Sequence, residues 1–208
     1  LTRLHAVDPT GPTAVGELTV RAVMRVLASA GNHLWLTGGG GSAVVDVSRK
    51  DLSMWPLPLR SPIHCGGAFG ADRFVISTAG LLEEWDPVGR APLRRFRLDK
   101  PVPLRFVGGG ARQVWMVPAN EPPRIEIIPL VNHGQAPRIE VPGPIARVIP
   151  DASHERLLII GTSGAAWTID LGGRAPAAPV VTPPLVDGCW TPTGLAVVLR
   201  TGEVQAVA

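Results

Sequence analysis

Five residues, Arg25, His64, Arg105, Arg147 and Asp187, follow one another at intervals of 39, 41, 42 and 40 positions. Three guanidinium groups and an imidazole gathered at one mouth would make an electropositive well. Guanidinium forks grip carboxylates and phosphates bidentately, so the ligand for such a well is a small anion. The plainer reading leaves these side chains solvated, or pairs each Arg locally with a carboxylate.

Other chemistry-bearing residues read as structural. Asp46, Asp86 and Asp170 could pass for paired acids, but they recur at equivalent places where an Asp caps its own turn. His5, His33, His64, His133 and His154 lack the i, i+4 spacing of a helical zinc site, so no metal is expected. The glycine run at Gly38 to Gly41 lies between two strand-like segments, whereas a phosphate loop must open a helix. It is expected to be a hairpin turn. Neighbouring strand residues point to opposite faces, so His64 and Cys65 do not form a dyad. No catalytic or cofactor motif is expected.

The bulk numbers set the frame. A chain of 208 residues buries roughly 70% of its unfolded surface and needs no staple to fold. Its 45% hydrophobic and 18% charged residues exclude a disordered chain. No apolar stretch approaches the roughly 20 residues of a spanning helix. No signal-peptide pattern is present, and the start at Leu1 fits a mature fragment, an excised domain or part of a longer protein. The formal charge is +3, but Lys50 and Lys100 are the only lysines and Tyr is absent, a skew expected of a GC-rich bacterial genome. Arginine enrichment of this origin is little reason to expect nucleic acid. Cys65 and Cys189 fall on non-neighbouring repeats and are expected to be free thiols, which favours a reducing, cytoplasmic compartment.

The elements that would position these residues repeat. Apolar runs begin at Leu34, Phe74, Val114, Leu157 and Leu195, spaced by 40, 40, 43 and 38 residues. Each run is apolar at consecutive positions, as in a strand buried on both faces. Gly40, Gly80, Asn120, Gly164 and Gly202 follow them, residues suited to tight hairpins. A third strand comes next, ending at Asp46, Asp86 or Asp170, with Pro129 in the third copy and Asp8 near the start. A fourth, proline- and arginine-bearing segment then reads as an outer edge. A short inner strand precedes each apolar run: Met24 to Leu27, Ile63 to Gly66, Leu104 to Val107, Ala146 to Ile149 and Val186 to Cys189.

A four-stranded unit of about forty residues with an apolar-Asp or Trp-Asp third strand resembles the WD-repeat and PQQ-like families of β-propellers. Ala6-Val7-Asp8-Pro9-Thr10-Gly11 and Glu84-Trp85-Asp86-Pro87-Val88-Gly89 are similar to the PQQ-like Asp-Pro-x-x-Gly turn. The Gly-His pair of WD repeats is missing. The expected fold is therefore an all-β propeller, with blades at 21–60, 61–100, 101–143, 144–183 and 184–208 and a partial third and outer strand at 1–20. Docking Val15 to Val20 on the last blade closes a ring of five; alternatively the chain is a slice of a six- to eight-bladed propeller.

The expected function is a non-catalytic scaffold for protein–protein interaction within a larger protein or assembly. Its candidate interface residues are Trp55, Arg94, Arg95, Arg97 and Trp190. The alternative is a site at the axial mouth, for a small anionic ligand or for hydrolase or lyase chemistry, built on Arg25, His64, Arg105 and Arg147. The architecture predicts a circular dichroism spectrum of β-sheet type, and a helix-dominated spectrum would overturn it.

Overall fold

The computed structural model describes residues 2–7, 14–20, 24–39, 41–48, 52–57, 63–78, 80–98, 101–120, 122–131, 137–172, 177–180 and 184–207. The turn at Asp8 to Gly11, Gly40, His133 and the side chain of His5 lie outside them. All described regular elements are strands, and they fall into two compact units, Leu1–Pro101 and Val102–Ala208.

In the first unit, β1 (Thr2–Val7) pairs antiparallel with β2 (Ala14–Val20). Next comes a four-stranded antiparallel sheet of β3 (Met24–Ala30), β4 (His33–Gly38), β5 (Gly41–Asp46) and β6 (Met54–Leu57), hydrogen-bonded in chain order. The strands β7 (Cys65–Phe69), β8 (Arg73–Thr78), β9 (Leu81–Asp86) and β10 (Ala91–Arg97) repeat that order. The inner strand here starts at Cys65, two residues after the expected Ile63, although the His64 N–H still reaches the Ser77 carbonyl at 2.9 Å.

The second unit continues the pattern. Its strands β11 (Leu104–Gly109), β12 (Gln113–Pro118), β13 (Arg124–Pro129) and β14 (Arg138–Glu140) run in order. So do β15 (Ile145–Pro150), β16 (Arg156–Gly161), β17 (Ala166–Asp170) and β18 (Ala178–Val180). A three-stranded sheet of β19 (Leu185–Thr191), β20 (Gly194–Leu199) and β21 (Val204–Val207) follows.

The second strand of each sheet explains the consecutive apolar runs. In β16, Leu157 and Ile159 join a core with Trp115, Ile125 and Ile127, while Leu158 and Ile160 join another with Leu185, Leu195 and Val197. Strand side chains alternate between faces, so a strand between two packed sheets must be apolar at every position. In the first unit, Trp35 is fully buried and meets Phe74 and Trp85 edge-on, with ring centroids 5.4 and 5.6 Å away.

Large second-strand residues demand small inner-strand partners. Trp35 lies opposite Ala28 and Trp115 opposite Gly108. A Cβ on Gly108 would run into the Trp115 ring itself. The hairpins turn as their glycines imply: Gly80, Gly164 and Gly202 all have positive φ. Asn120 does not share that conformation.

Two substitutions test this packing in urea unfolding. Leu158→Ala should cost about 2–5 kcal/mol, the usual cost of truncating a buried leucine. Gly108→Ala adds only a methyl group but should still cost about 1–3 kcal/mol by overpacking against Trp115. An unchanged midpoint for Gly108→Ala would mean that the indole is free to move aside.

Candidate functional site

The inner strands carry the candidate anion ligands, and their register can be read against the second strands. Arg25 lies opposite Thr37, Cys65 opposite Ser77, Phe106 opposite Val117, Arg147 opposite Ile160 and Asp187 opposite Val198. Those partners are each the fifth residue of their strand. The equivalent inner positions are therefore Arg25, Cys65, Phe106, Arg147 and Asp187, with His64 and Arg105 one residue earlier. Arg105 is the extra residue of a β-bulge between Leu104 and Phe106, as Ala146 and Val186 are in β15 and β19. A bulge sets two residues against one, so equal spacing along the chain is not equal register.

The four candidate ligands therefore do not occupy one register position. The shared position holds two arginines, an aspartate, a thiol and a phenyl ring. Arg147 is already matched, its Nη1 donating to Asp187 Oδ2 at 2.8 Å across neighbouring sheets. Both partners are about half exposed, so the bridge fixes geometry more than it adds stability. Arg105 is exposed, with its guanidinium 5.6 Å from the Phe106 ring centroid. Arg25 and His64 are exposed.

The repeated aspartates close their own turns. The Ser48 N–H donates to Asp46 Oδ1 at 2.9 Å, the Val88 N–H to Asp86 Oδ1 at 2.8 Å and the Gly172 N–H to Asp170 Oδ1 at 2.9 Å. A fourth aspartate, which its sequence neighbours did not mark out, organises the β15–β16 turn. Asp151 is buried and accepts from the Ser153 hydroxyl, the N–H groups of Glu155 and Arg156, and Arg156 Nε at 3.1 Å. Burial opposes the charge, but the backbone and side-chain bonds from Arg156, with those from Ser153 and Glu155, outweigh it. The carboxyl is held below its ordinary value.

Both cysteines are free thiols. Cys65 is buried, and desolvation pushes its pKa up to about 12 despite a hydrogen bond with Ser77. Cys189 is exposed. His64, beside Cys65 in sequence, is exposed while Cys65 is buried, the opposite-face arrangement expected of strand neighbours. His33 lies against Trp55, ring centroids 6.2 Å apart, and His154 is buried in the β15–β16 turn.

Neither candidate interface tryptophan stands free. Trp55 is half-buried against the Trp35 core, with the Arg90 guanidinium 4.6 Å from its ring centroid. Trp190 is half-buried, donates from Nε1 to the Ile149 carbonyl at 3.0 Å and carries Arg156 4.6 Å from its ring centroid. Each indole joins neighbouring sheets, which corrects their reading as exposed anchors.

The outer-strand arginines answer carboxylates absent from the sequence-derived site. Arg95 lies directly opposite Glu83 and binds its Oε1 at 2.8 Å, while Trp85 Nε1 takes Oε2 at 3.2 Å. Arg94 lies opposite the fully buried Glu84, its Nε 3.0 Å from Oε2, and Arg73 Nη1 binds Oε1 at 2.7 Å. The bond to Glu84 raises the pKa of Arg73. In the second unit Arg138 lies opposite Glu126, which Arg124 also holds at 2.6 Å. The legible signal was a glutamate inside an apolar third strand followed by arginine on the fourth. Arg97 is exposed opposite Leu81, and it pairs with no carboxylate among the described residues.

No protein-family model matches the sequence, and no curated protein matches it. Solved structures do resemble the fold. The β-propeller domain of Cps50 (Swd1) from Myceliophteria thermophila aligns with TM-score 0.62 at 13% identity, covering 99% of this chain and 76% of that one. Hsv2 from Kluyvelomyces marxianus gives TM-score 0.55 at 15% identity, covering 94% and 65%. A chain of the mitotic checkpoint complex gives 0.63 at 10%, covering 99% and 68%. The chain is a β-propeller of four-stranded antiparallel blades. Its resemblance to WD-repeat propellers stands at the level of the fold.

The depressed carboxyl of Asp151 gives a signed pH effect. Its contribution to stability is complete above the unfolded carboxyl pKa of about 3.9, declines below it and is gone once the pH passes below the folded value. Asp151→Asn should lower the melting temperature at pH 7, and the gap from the parent should close as the pH falls below about 4. A gap independent of pH would assign the effect to hydrogen-bond geometry alone.

Proposed function

We propose that this propeller is a non-catalytic scaffold that docks other proteins, and that docking uses the outer edge of the blade β7–β10. The observation that carries this reading is β10 itself. Among the outer strands of the four-stranded sheets it is the longest as described, with seven residues against four in β6, three in β14 and three in β18. Five of its seven residues are exposed: Leu93 stands 48% exposed, and Ala91, Arg94, Arg95 and Arg97 are exposed with it. An apolar residue among arginines is the composition of a protein contact. Trp55 and Trp190 serve the blades rather than this surface, and Arg94 and Arg95 are shared between the blade and any partner.

Affinity capture followed by mass spectrometry tests the reading. The comparison is between the parent chain, an edge variant carrying Leu93→Asp and Arg97→Glu, and an inner-strand variant, Arg25→Glu. The parent and Arg25→Glu should retain the same proteins, and the edge variant should lose them with little change in melting temperature. Loss in Arg25→Glu with retention in the edge variant would move the site to the inner strands and revive the axial anion reading.

A further inference from the structure

Resting on that docking reading, we infer that β10 receives an acidic, extended polypeptide segment as an additional antiparallel strand. The backbone shows which groups are available. The Leu98 N–H donates to the Gly80 carbonyl at 3.1 Å, so the backbone of Leu98 faces β9. In an antiparallel ladder N–H and C=O groups alternate in pairs between the two sides. Phe96 and Arg94 therefore bond to β9, opposite Leu82 and Glu84, and Arg95 and Arg97 turn their N–H and C=O groups away from the sheet. Pro92 lies before this stretch, and from Leu93 to Arg97 no proline interrupts it. The outer strands β6 and β18, by contrast, carry Pro56 and Pro179 within four and three residues.

The side chains set the chemistry of the guest. Arg95 and Arg97 project on one face, two residues apart, beside the backbone groups an incoming strand would bond. Residues of a guest strand directly opposite them would sit in hydrogen-bonded pairs, with Cα atoms about 5.5 Å away. A second copy of β10 would set arginine against arginine, and like charges directly opposite are destabilising. The edge thus rejects its own kind. Acidic residues at alternate positions of the guest satisfy both arginines. Arg95 is shared with Glu83 but keeps a side-chain exposure of 63%, and Arg97 has no carboxylate among the described residues. Among the described residues Arg73 is answered by Glu84, Asp72 and Asp86, Arg94 by Glu84 and Arg95 by Glu83, which leaves the charge of Arg97 for a guest. Between the acids, an apolar guest residue would lie beside half-buried Phe96 on the other face. The guest pattern is acid, apolar, acid.

The test uses the whole chain and labelled synthetic probes in fluorescence anisotropy. The first probe is a peptide of alternating glutamate and valine, the second replaces glutamate with lysine, and the third N-methylates the glutamates of the first. The glutamate peptide should bind, weakening as salt screens the arginines, and the lysine peptide should not. N-methylation removes the N–H groups that pair with β10 and should weaken binding about tenfold. Arg97→Glu should weaken the parent peptide by about as much, with an unchanged melting temperature showing that the blade stays folded. Equal binding of the N-methylated probe overturns strand addition, equal binding of the lysine probe overturns the acidic guest, and no binding of the glutamate peptide overturns both. None of these outcomes touches the docking reading, which fails only if captured proteins are indifferent to the edge variant.

Discussion

The second strands β8, β12 and β16 are buried on both of their faces, and the rest of the molecule arranges itself around that constraint. Leu157 and Ile159 serve one core while Leu158 and Ile160 serve the next, so a single strand belongs to two interiors at once. Charge cannot enter such a strand without being desolvated on either side. Bulk placed there must be matched by smallness on the inner strand, as Gly108 matches Trp115. Ionisable side chains are therefore driven to the inner and outer strands, or to third-strand positions within reach of an outer-strand arginine.

That displacement organises the electrostatics. Glu83, Glu84 and Glu126 lie on third strands, buried, and each has an arginine directly across on the fourth. Breaking such a pair from one side would strand a carboxylate in the sheet, which is far more costly than the pair is stabilising. Much of the cationic surface that a residue count suggests is thus internal wiring. Arg147 is also paired, with Asp187 at the inner strands, though both partners there are half exposed. Arg97 is the exception on β10, and a charge left over at an open edge is more informative than the two neutralised beside it.

The sequence made the second strands and turns legible because their causes are local. A run of four or five apolar residues has few places to go, and an Asp two residues ahead of a free N–H closes a turn whatever surrounds it. The inner strands misled for an equally physical reason. Arg105 is itself a bulge residue and His64 precedes the first ladder position of β7, so both fell into line with Arg147 on paper and out of line in the ladder. The tryptophans misled because an outer or inner strand can still contact the adjoining sheet; Trp55 and Trp190 are half-buried for that reason. The buried glutamates were invisible because polarity in a strand ordinarily reports a solvent face, and only the cross-strand arginine reveals otherwise.

Cys65 carries a consequence for how the blade moves. Its thiol lies inside the ladder between β7 and β8, opposite Ser77, and burial keeps it protonated across the physiological range. A thiol in that state is a poor nucleophile towards alkylating reagents while the sheet is intact. It becomes reactive when β7 peels away, whereas Cys189 stands open to reagent throughout. The molecule thus contains its own stopwatch: modification at Cys65 counts the separations of an inner strand, and the solvent-facing thiol calibrates the reagent.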